Sequence, residues 1–253
     1  MRYIYEPRGR AGEYGKFALN LYSGCSHGCT YCYAPAVCHR SREDFHSNVA
    51  PRHFDWRILN HEIADIRGQE LFLCFTCDPY PPFQLGSTVT RLVIEQCHKH
   101  DVKVIILTKG AARSERDFDL LEKRPDLSRY GVTLTFTDAE RLRAYEPGAD
   151  PLEARLSVLR RAKLRGIPTW VSFEPVIAPE QTLGLLSWAV CNEVDEVKIG
   201  KWNHDKAAND VDWIAFFNSA MSRVRDSRTR WYFKQDLIDA VEAQLKAREA
   251  AGR

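Results

Sequence analysis

Three cysteines, Cys25, Cys29 and Cys32, fall within the run Ser23-Gly24-Cys25-Ser26-His27-Gly28-Cys29-Thr30-Tyr31-Cys32-Tyr33. Cysteine thiolate is the soft ligand that suits iron–sulfur clusters, and three thiolates on a four-iron cube leave one iron open to a small chelating molecule. The chemistry expected of this C-x3-C-x2-C loop is therefore a [4Fe–4S] cluster with one open position. Structural zinc is the alternative: His27, Cys38 and His39 lie nearby in sequence, although zinc usually draws on two separated ligand pairs. The other five of the eight cysteines are scattered through apolar segments, which fits reduced thiols better than a disulfide framework.

Such a loop needs rigid elements behind it. Short runs rich in apolar and β-branched residues at 17–22, 71–76, 102–108, 131–136, 169–176 and 196–199 read as strands. Between them, apolar spacing of three and four predicts helices at 56–67, 88–100, 115–123, 152–165, 181–190 and 212–225. Strict alternation predicts an α/β fold, a partial (β/α)6 TIM-type barrel of parallel strands with right-handed crossovers. A C-terminal helix at 236–248 follows the aromatic run Trp231-Tyr232-Phe233 and is expected to close the open side. The expected organisation is an N-terminal arm at 1–16, the barrel domain at 17–226 and a C-terminal aromatic segment with its helix at 227–253. In parallel α/β folds chemistry gathers at the carboxyl ends of the strands, so the loops after Tyr22, Thr76, Thr108, Phe136, Val176 and Ile199 should line the site.

Lys and Arg number 36 against 34 Asp and Glu, a formal charge of +2 that gives no general electrostatic footprint for nucleic acid. The N-terminus lacks the apolar run of a secretory signal, and no stretch of about 18 apolar residues exists to span a bilayer. The expectation is a cytoplasmic protein with no membrane partner.

C-x3-C-x-aromatic-C at the end of the first strand resembles the signature of the radical S-adenosylmethionine (SAM) superfamily, and within it the spore photoproduct lyase-like group. Thr76-Cys77-Asp78-Pro79, Leu107-Thr108-Lys109, the stretch 131–138, Glu146-Pro147-Gly148 and the stretch 152–177 extend the likeness over about 19–177. The resemblance implies that Cys25, Cys29 and Cys32 ligate iron and that SAM chelates the open iron, accepts an electron and breaks to a 5′-deoxyadenosyl radical. It implies that Lys109 holds the SAM carboxylate, a task suited to a compact ammonium. It also implies a reductant such as flavodoxin or ferredoxin, and a monomer or weak dimer.

Other positions divide between roles. Thr133 and Thr135 alternate along the fourth strand and could hydrogen-bond the cofactor's ribose or amino group, or reflect β-propensity alone. Asp78 reaches the cofactor's amino group or makes an Asx turn before Pro79. Glu174, amid Trp170-Val171-Ser172-Phe173, is costly to bury alone; it serves cofactor or substrate, or pairs with a helix arginine. Tyr31 and Tyr33 stand where the lyase has tyrosines implicated in passing a hydrogen atom. The lyase's hydrogen-donor cysteine aligns with Phe75, so that donor is missing here. Cys74 and Cys77 bracket the place; strand alternation sends them to opposite faces, which favours Cys77 as donor and Cys74 as core.

The likeness implies a nucleic-acid base as substrate, a thymine or modified thymine, handled by a lyase-like repair or by base hypermodification or isomerisation that needs no external hydrogen donor. DNA or a nucleotide is then the partner, with Arg40, Arg42, Arg52, Arg113, Arg116, Trp202 and the stretch 228–234 as phosphate and stacking contacts. A small molecule or peptide substrate is the alternative, and a non-catalytic Fe–S or zinc module is the competing class.

Overall fold

The computed structural model describes residues 2–82, 88–203 and 205–251. The chain divides into two compact units, one of residues up to Val132 with Glu140–Pro168, the other of Thr133–Ala139 with the residues from Thr169 on.

In the first unit, β1 (Phe17–Leu19) is followed by β2 (Tyr22–Ser23), α1 (Ala34–Val37), α2 (Arg42–Ser47), β3 (Ala50–Pro51), α3 (Trp56–Asp65), β4 (Glu70–Leu73), α4 (Val89–Lys99) and β5 (Lys103–Thr108). Then come α5 (Ala111–Ser114), α6 (Phe118–Leu121), β6 (Ser128–Thr133), α7 (Ala139–Tyr145) and α8 (Leu152–Leu164). The main strands pair in parallel, β1 with β4, β4 with β5 and β5 with β6. Val104, Ile105 and Ile106 are fully buried, as a strand covered on both faces requires. The helices are placed by local signals: Asp55 caps α3 by accepting from the Arg57 N–H at 2.9 Å, and Ser41 caps α2 through the Asp44 N–H at 3.1 Å.

In the second unit, β7 (Thr169–Val176), α9 (Pro179–Cys191), β8 (Glu196–Lys201), α10 (Trp213–Val224), β9 (Arg230–Phe233) and α11 (Gln235–Ala251) follow in order, with β7, β8 and β9 parallel. α11 packs on α10 and β8.

Parallel α/β architecture is as the sequence predicts, and β7 falls where expected. Three details differ. The predicted first strand is split, because β2 turns away at Tyr22 to pair antiparallel with β3. The fourth strand lies earlier than expected, so Thr135 stands beyond its end. The aromatic run Trp231-Tyr232-Phe233 is a strand, β9, hydrogen-bonded to β8; its Trp231 and Tyr232 are exposed, which hid the apolar alternation of a half-buried strand. Among the described residues no helix is long and apolar enough to cross a membrane.

Candidate functional site

The cysteine loop follows β2 and is gripped from two directions in the first unit. From α2, Arg42 donates to the carbonyls of Cys29 and Cys32 at 2.6 and 3.1 Å, and His46 Nδ1 donates to the Cys25 carbonyl at 2.7 Å. Gly24 adopts φ +80°, and a Cβ there would lie 2.5 Å from the Phe45 carbonyl oxygen, so the chain can turn only as glycine. From the end of α7, the Tyr145 carbonyl accepts from the Thr30 N–H at 2.9 Å, and the Gly148 N–H donates to the His27 carbonyl at 2.8 Å. A side chain on Gly148 would meet the Ser26 carbonyl oxygen at 2.3 Å.

Asp78 ties this loop to the ends of β4 and β5. Its carboxylate accepts from the N–H groups of Tyr80 (2.7 Å) and Lys109 (2.8 Å) and from the Thr108 hydroxyl (2.6 Å), and it lies 3.0 Å from His27 Nε2. Burial pushes its pKa up, but His27 and the other donors outweigh it and hold the carboxyl well below the usual range. The bond to the Tyr80 N–H is the Asx turn expected before Pro79. His27 Nδ1 faces the Gly148 carbonyl at 2.8 Å, so the buried ring links Asp78 to the 146–148 turn.

Lys109, half-buried after β5, places its Nζ 5.7 Å from the Tyr31 ring centroid, and among the described residues it has no hydrogen-bond acceptor for that ammonium. Burial disfavours its charge, yet the Cys29 thiolate and the Glu146 carboxylate raise its pKa above the ordinary value. Glu146, 1% exposed, accepts from the Tyr31 hydroxyl and pairs with Arg155 Nη2 at 2.6 Å. Burial raises its pKa, and Arg155 and Lys109 more than offset that, so its carboxyl sits below the ordinary range. Cys29, buried, is pushed up to about 11, by burial first, with Lys109 opposing and Glu146 assisting.

Tyr33 is placed differently from Tyr31: its ring is exposed and its hydroxyl donates to the Phe75 carbonyl at 2.8 Å. Phe75, at the lyase's donor position, stacks on Phe72 with ring centroids 4.3 Å apart. The alternation argument for Cys74 and Cys77 does not hold. β4 ends at Leu73 and Cys74 takes φ 72°, so the two side chains come together instead of parting. Burial first, then Cys77, pushes the Cys74 thiol up, while Cys77 stays half-buried and within electrostatic reach of Cys25.

The remaining predicted residues belong to the second unit. Thr133 and Thr135 are buried. Glu174, near the carboxyl end of β7, is chelated by Lys234 Nζ at 2.9 and 2.8 Å, so its partner is a lysine just after β9 and not a helix arginine. Gly200 of β8 makes room for the pair, since a Cβ there would lie 2.9 Å from Glu174 Cδ and from Lys234 Cδ.

Several arginines expected at a phosphate surface serve the first unit itself. Arg40 binds Asp44, Arg42 the cysteine loop, Arg52 the Tyr22 carbonyl at 3.1 Å and Arg113 Asp150 at 2.8 Å. Glu146 appears in the sequence only within the Glu-Pro-Gly turn, and Arg155, Arg42 and His46 carry no local signal of their role. Among the described residues no three His, Cys, Asp or Glu side chains gather where a single metal ion could sit, so Cys38 and His39 do not complete a zinc site with the loop. Three free cysteines in one loop, with the Lys109 ammonium over the ring of Tyr31 between two of them, form a donor set that fits a three-cysteine [4Fe–4S] cluster and an anionic ligand on it.

The family model of the radical SAM superfamily matches residues 19–184. The chain belongs to the radical SAM superfamily. Members of this superfamily use a [4Fe–4S] cluster and SAM, the cofactors expected from the cysteine run. An uncharacterized protein of Acidianus two-tailed virus, ORF301, is 30% identical over 175 residues, which are 65% of this chain and 57% of that protein. Spore photoproduct lyase complexed with dinucleoside spore photoproduct shares the fold with a TM-score of 0.60 at 15% identity, over 85% of this chain and 62% of the lyase. Streptococcus suis SuiB bound to SAM shares it with a TM-score of 0.65 at 12% identity, over 88% of this chain and 51% of SuiB. The chain thus spans little more than half the length of these proteins, and its parallel α/β fold is that of the radical SAM partial barrels.

Proposed function

We propose that this chain cleaves SAM reductively at a [4Fe–4S] cluster on Cys25, Cys29 and Cys32 and acts on a nucleic-acid base, a thymine or modified thymine. The observation that carries the reading is the Lys109 ammonium, set over the Tyr31 ring of the cysteine loop with no hydrogen-bond acceptor among the described residues. When bound, cluster and SAM supply a 5′-deoxyadenosyl radical that takes a hydrogen atom from the substrate. Lys109 receives the SAM carboxylate, and Asp78 positions Lys109 by fixing its backbone N–H and the His27 ring together. Thr133 and Thr135 are assigned to the cofactor or substrate from their alternation along the sequence, and Glu174 from the cost of burying a carboxylate. A flavodoxin- or ferredoxin-type cytoplasmic reductant delivers the electron.

With Phe75 stacked where the lyase has its donor, an isomerase-type base modification that returns the abstracted hydrogen to the product is favoured over lyase-type repair. Cys77 is assigned the donor role if an external hydrogen is needed, with Tyr33 as the exposed tyrosine beside it. The target base must leave its stack or be presented single-stranded.

The test is anaerobic reconstitution with iron and sulfide, reduction with dithionite, and chromatography for 5′-deoxyadenosine. Wild type should form it and Cys29→Ala should not; a protein that takes up zinc and no iron would remove the proposal. Oligonucleotides with each base in turn fully deuterated, thymine first, then test the substrate: deuterium appearing in 5′-deoxyadenosine from thymine supports the reading, and none appearing from any base rejects nucleic acid.

A further inference from the structure

Reduction of an iron–sulfur cluster adds one negative charge, so nearby charges screened poorly by solvent shift the balance between the two oxidation states. Three charges lie on the Tyr31 side of the cysteine loop. Glu146 and Arg155 are each 1% exposed and 2.6 Å apart. Tyr31, adjacent to Cys32, is bonded to Glu146, and the Lys109 ammonium lies 5.7 Å from its ring centroid. The set therefore abuts the cysteine loop between Cys29 and Cys32, Glu146 through the Tyr31 hydroxyl and Lys109 through the Tyr31 ring. Nothing in the cofactor-binding role of Lys109 requires the buried Glu146–Arg155 pair behind it.

We propose that Glu146, Arg155 and Lys109 form a charge set beside the cysteine loop that fixes the reduction potential of the cluster on Cys29, with Glu146 and Arg155 as positioning residues that touch neither cofactor nor substrate. This rests on the function proposed above. Glu146 opposes reduction; Lys109 and Arg155 assist it. Until SAM arrives the set carries a net positive charge, which favours the reduced cluster, and a carboxylate on Lys109 cancels that excess.

The experiment is a spectroscopically monitored redox titration of the iron-loaded protein without SAM. At the wild-type midpoint, Glu146→Gln should raise the reduced-to-oxidised ratio roughly tenfold, the equivalent of 59 mV for one electron. Lys109→Met should lower the ratio by a similar factor, and Tyr31→Phe, which leaves every charge in place, should change it less than about twofold. Opposite signs for the first two variants cannot come from loosened packing. Should Glu146→Gln not fold, Lys109→Met against Tyr31→Phe carries the test, because Lys109 is only half-buried. Shifts of the same sign, or none, overturn the charge set while leaving the cluster assignment intact. A wild-type protein that takes up no iron overturns the assignment itself.

Discussion

The Glu146–Arg155 pair of the first unit and the Glu174–Lys234 pair of the second differ in how far they are committed. In the first unit Glu146 has a side chain closed to solvent and is engaged by Arg155 and the Tyr31 hydroxyl, with Lys109 acting from nearby. In the second, Glu174 keeps a side chain 20% exposed and is chelated by Lys234. Glu146 stands behind the cysteine loop as part of its frame. Glu174 lies near a strand's carboxyl end, where a ligand that offers its own cation or donors could open the pair. Burial depth thus separates a carboxylate that holds a site from one positioned to exchange partners.

Removing the cation from each pair should expose the difference. Arg155→Met strands a buried carboxylate and should cost about 3–5 kcal/mol in urea denaturation of the metal-free protein; a loss below about 1 kcal/mol would mean that Glu146 finds other solvation. Tyr31→Phe removes a hydrogen bond to that carboxylate and should cost about 1.5–3 kcal/mol by the same measurement. Lys234→Met should cost less than Arg155→Met, about 1–2 kcal/mol, because water reaches Glu174; equal losses would erase the contrast. Acid provides the finest distinction. The carboxyl of Glu146 sits below its unfolded value of about 4.3, so its stabilisation is complete above that pH and is lost as the pH falls through the folded value. The difference in unfolding free energy between wild type and Glu146→Gln should therefore be flat near neutrality and narrow on acidification. A gap that widened in acid would reverse the assigned direction.

Much of this was legible in the sequence because it is local. Thiol spacing announces the cluster loop without knowledge of the fold, and the apolar, β-branched run of β7 announces a buried strand. Both signals lie within a dozen residues. What the sequence hid is long-range. Nothing near Glu146 names Tyr31 or Arg155 as its partners, and nothing near Glu174 names Lys234, 60 residues on. β9 was missed for a related reason: with Trp231 and Tyr232 exposed, it lacks the burial pattern that a strand search follows. Cys74 is buried as the sequence predicts, but its side chain meets that of Cys77 because the backbone leaves the extended region at Cys74, which no property of cysteine foretells.

The contact between His27 and Gly148 spans 121 residues, and it has a consequence for biosynthesis. At ribosomal speeds of about 5–20 residues per second, the cysteine loop emerges roughly 6–24 s before the segment that completes its frame. Through that interval three closely spaced thiols stand open to oxidants and to zinc, with α2 alone to hold them. Cluster delivery after the 146–148 turn has docked, or a chaperone that shields the nascent loop, would keep the growing chain from being trapped with the wrong metal.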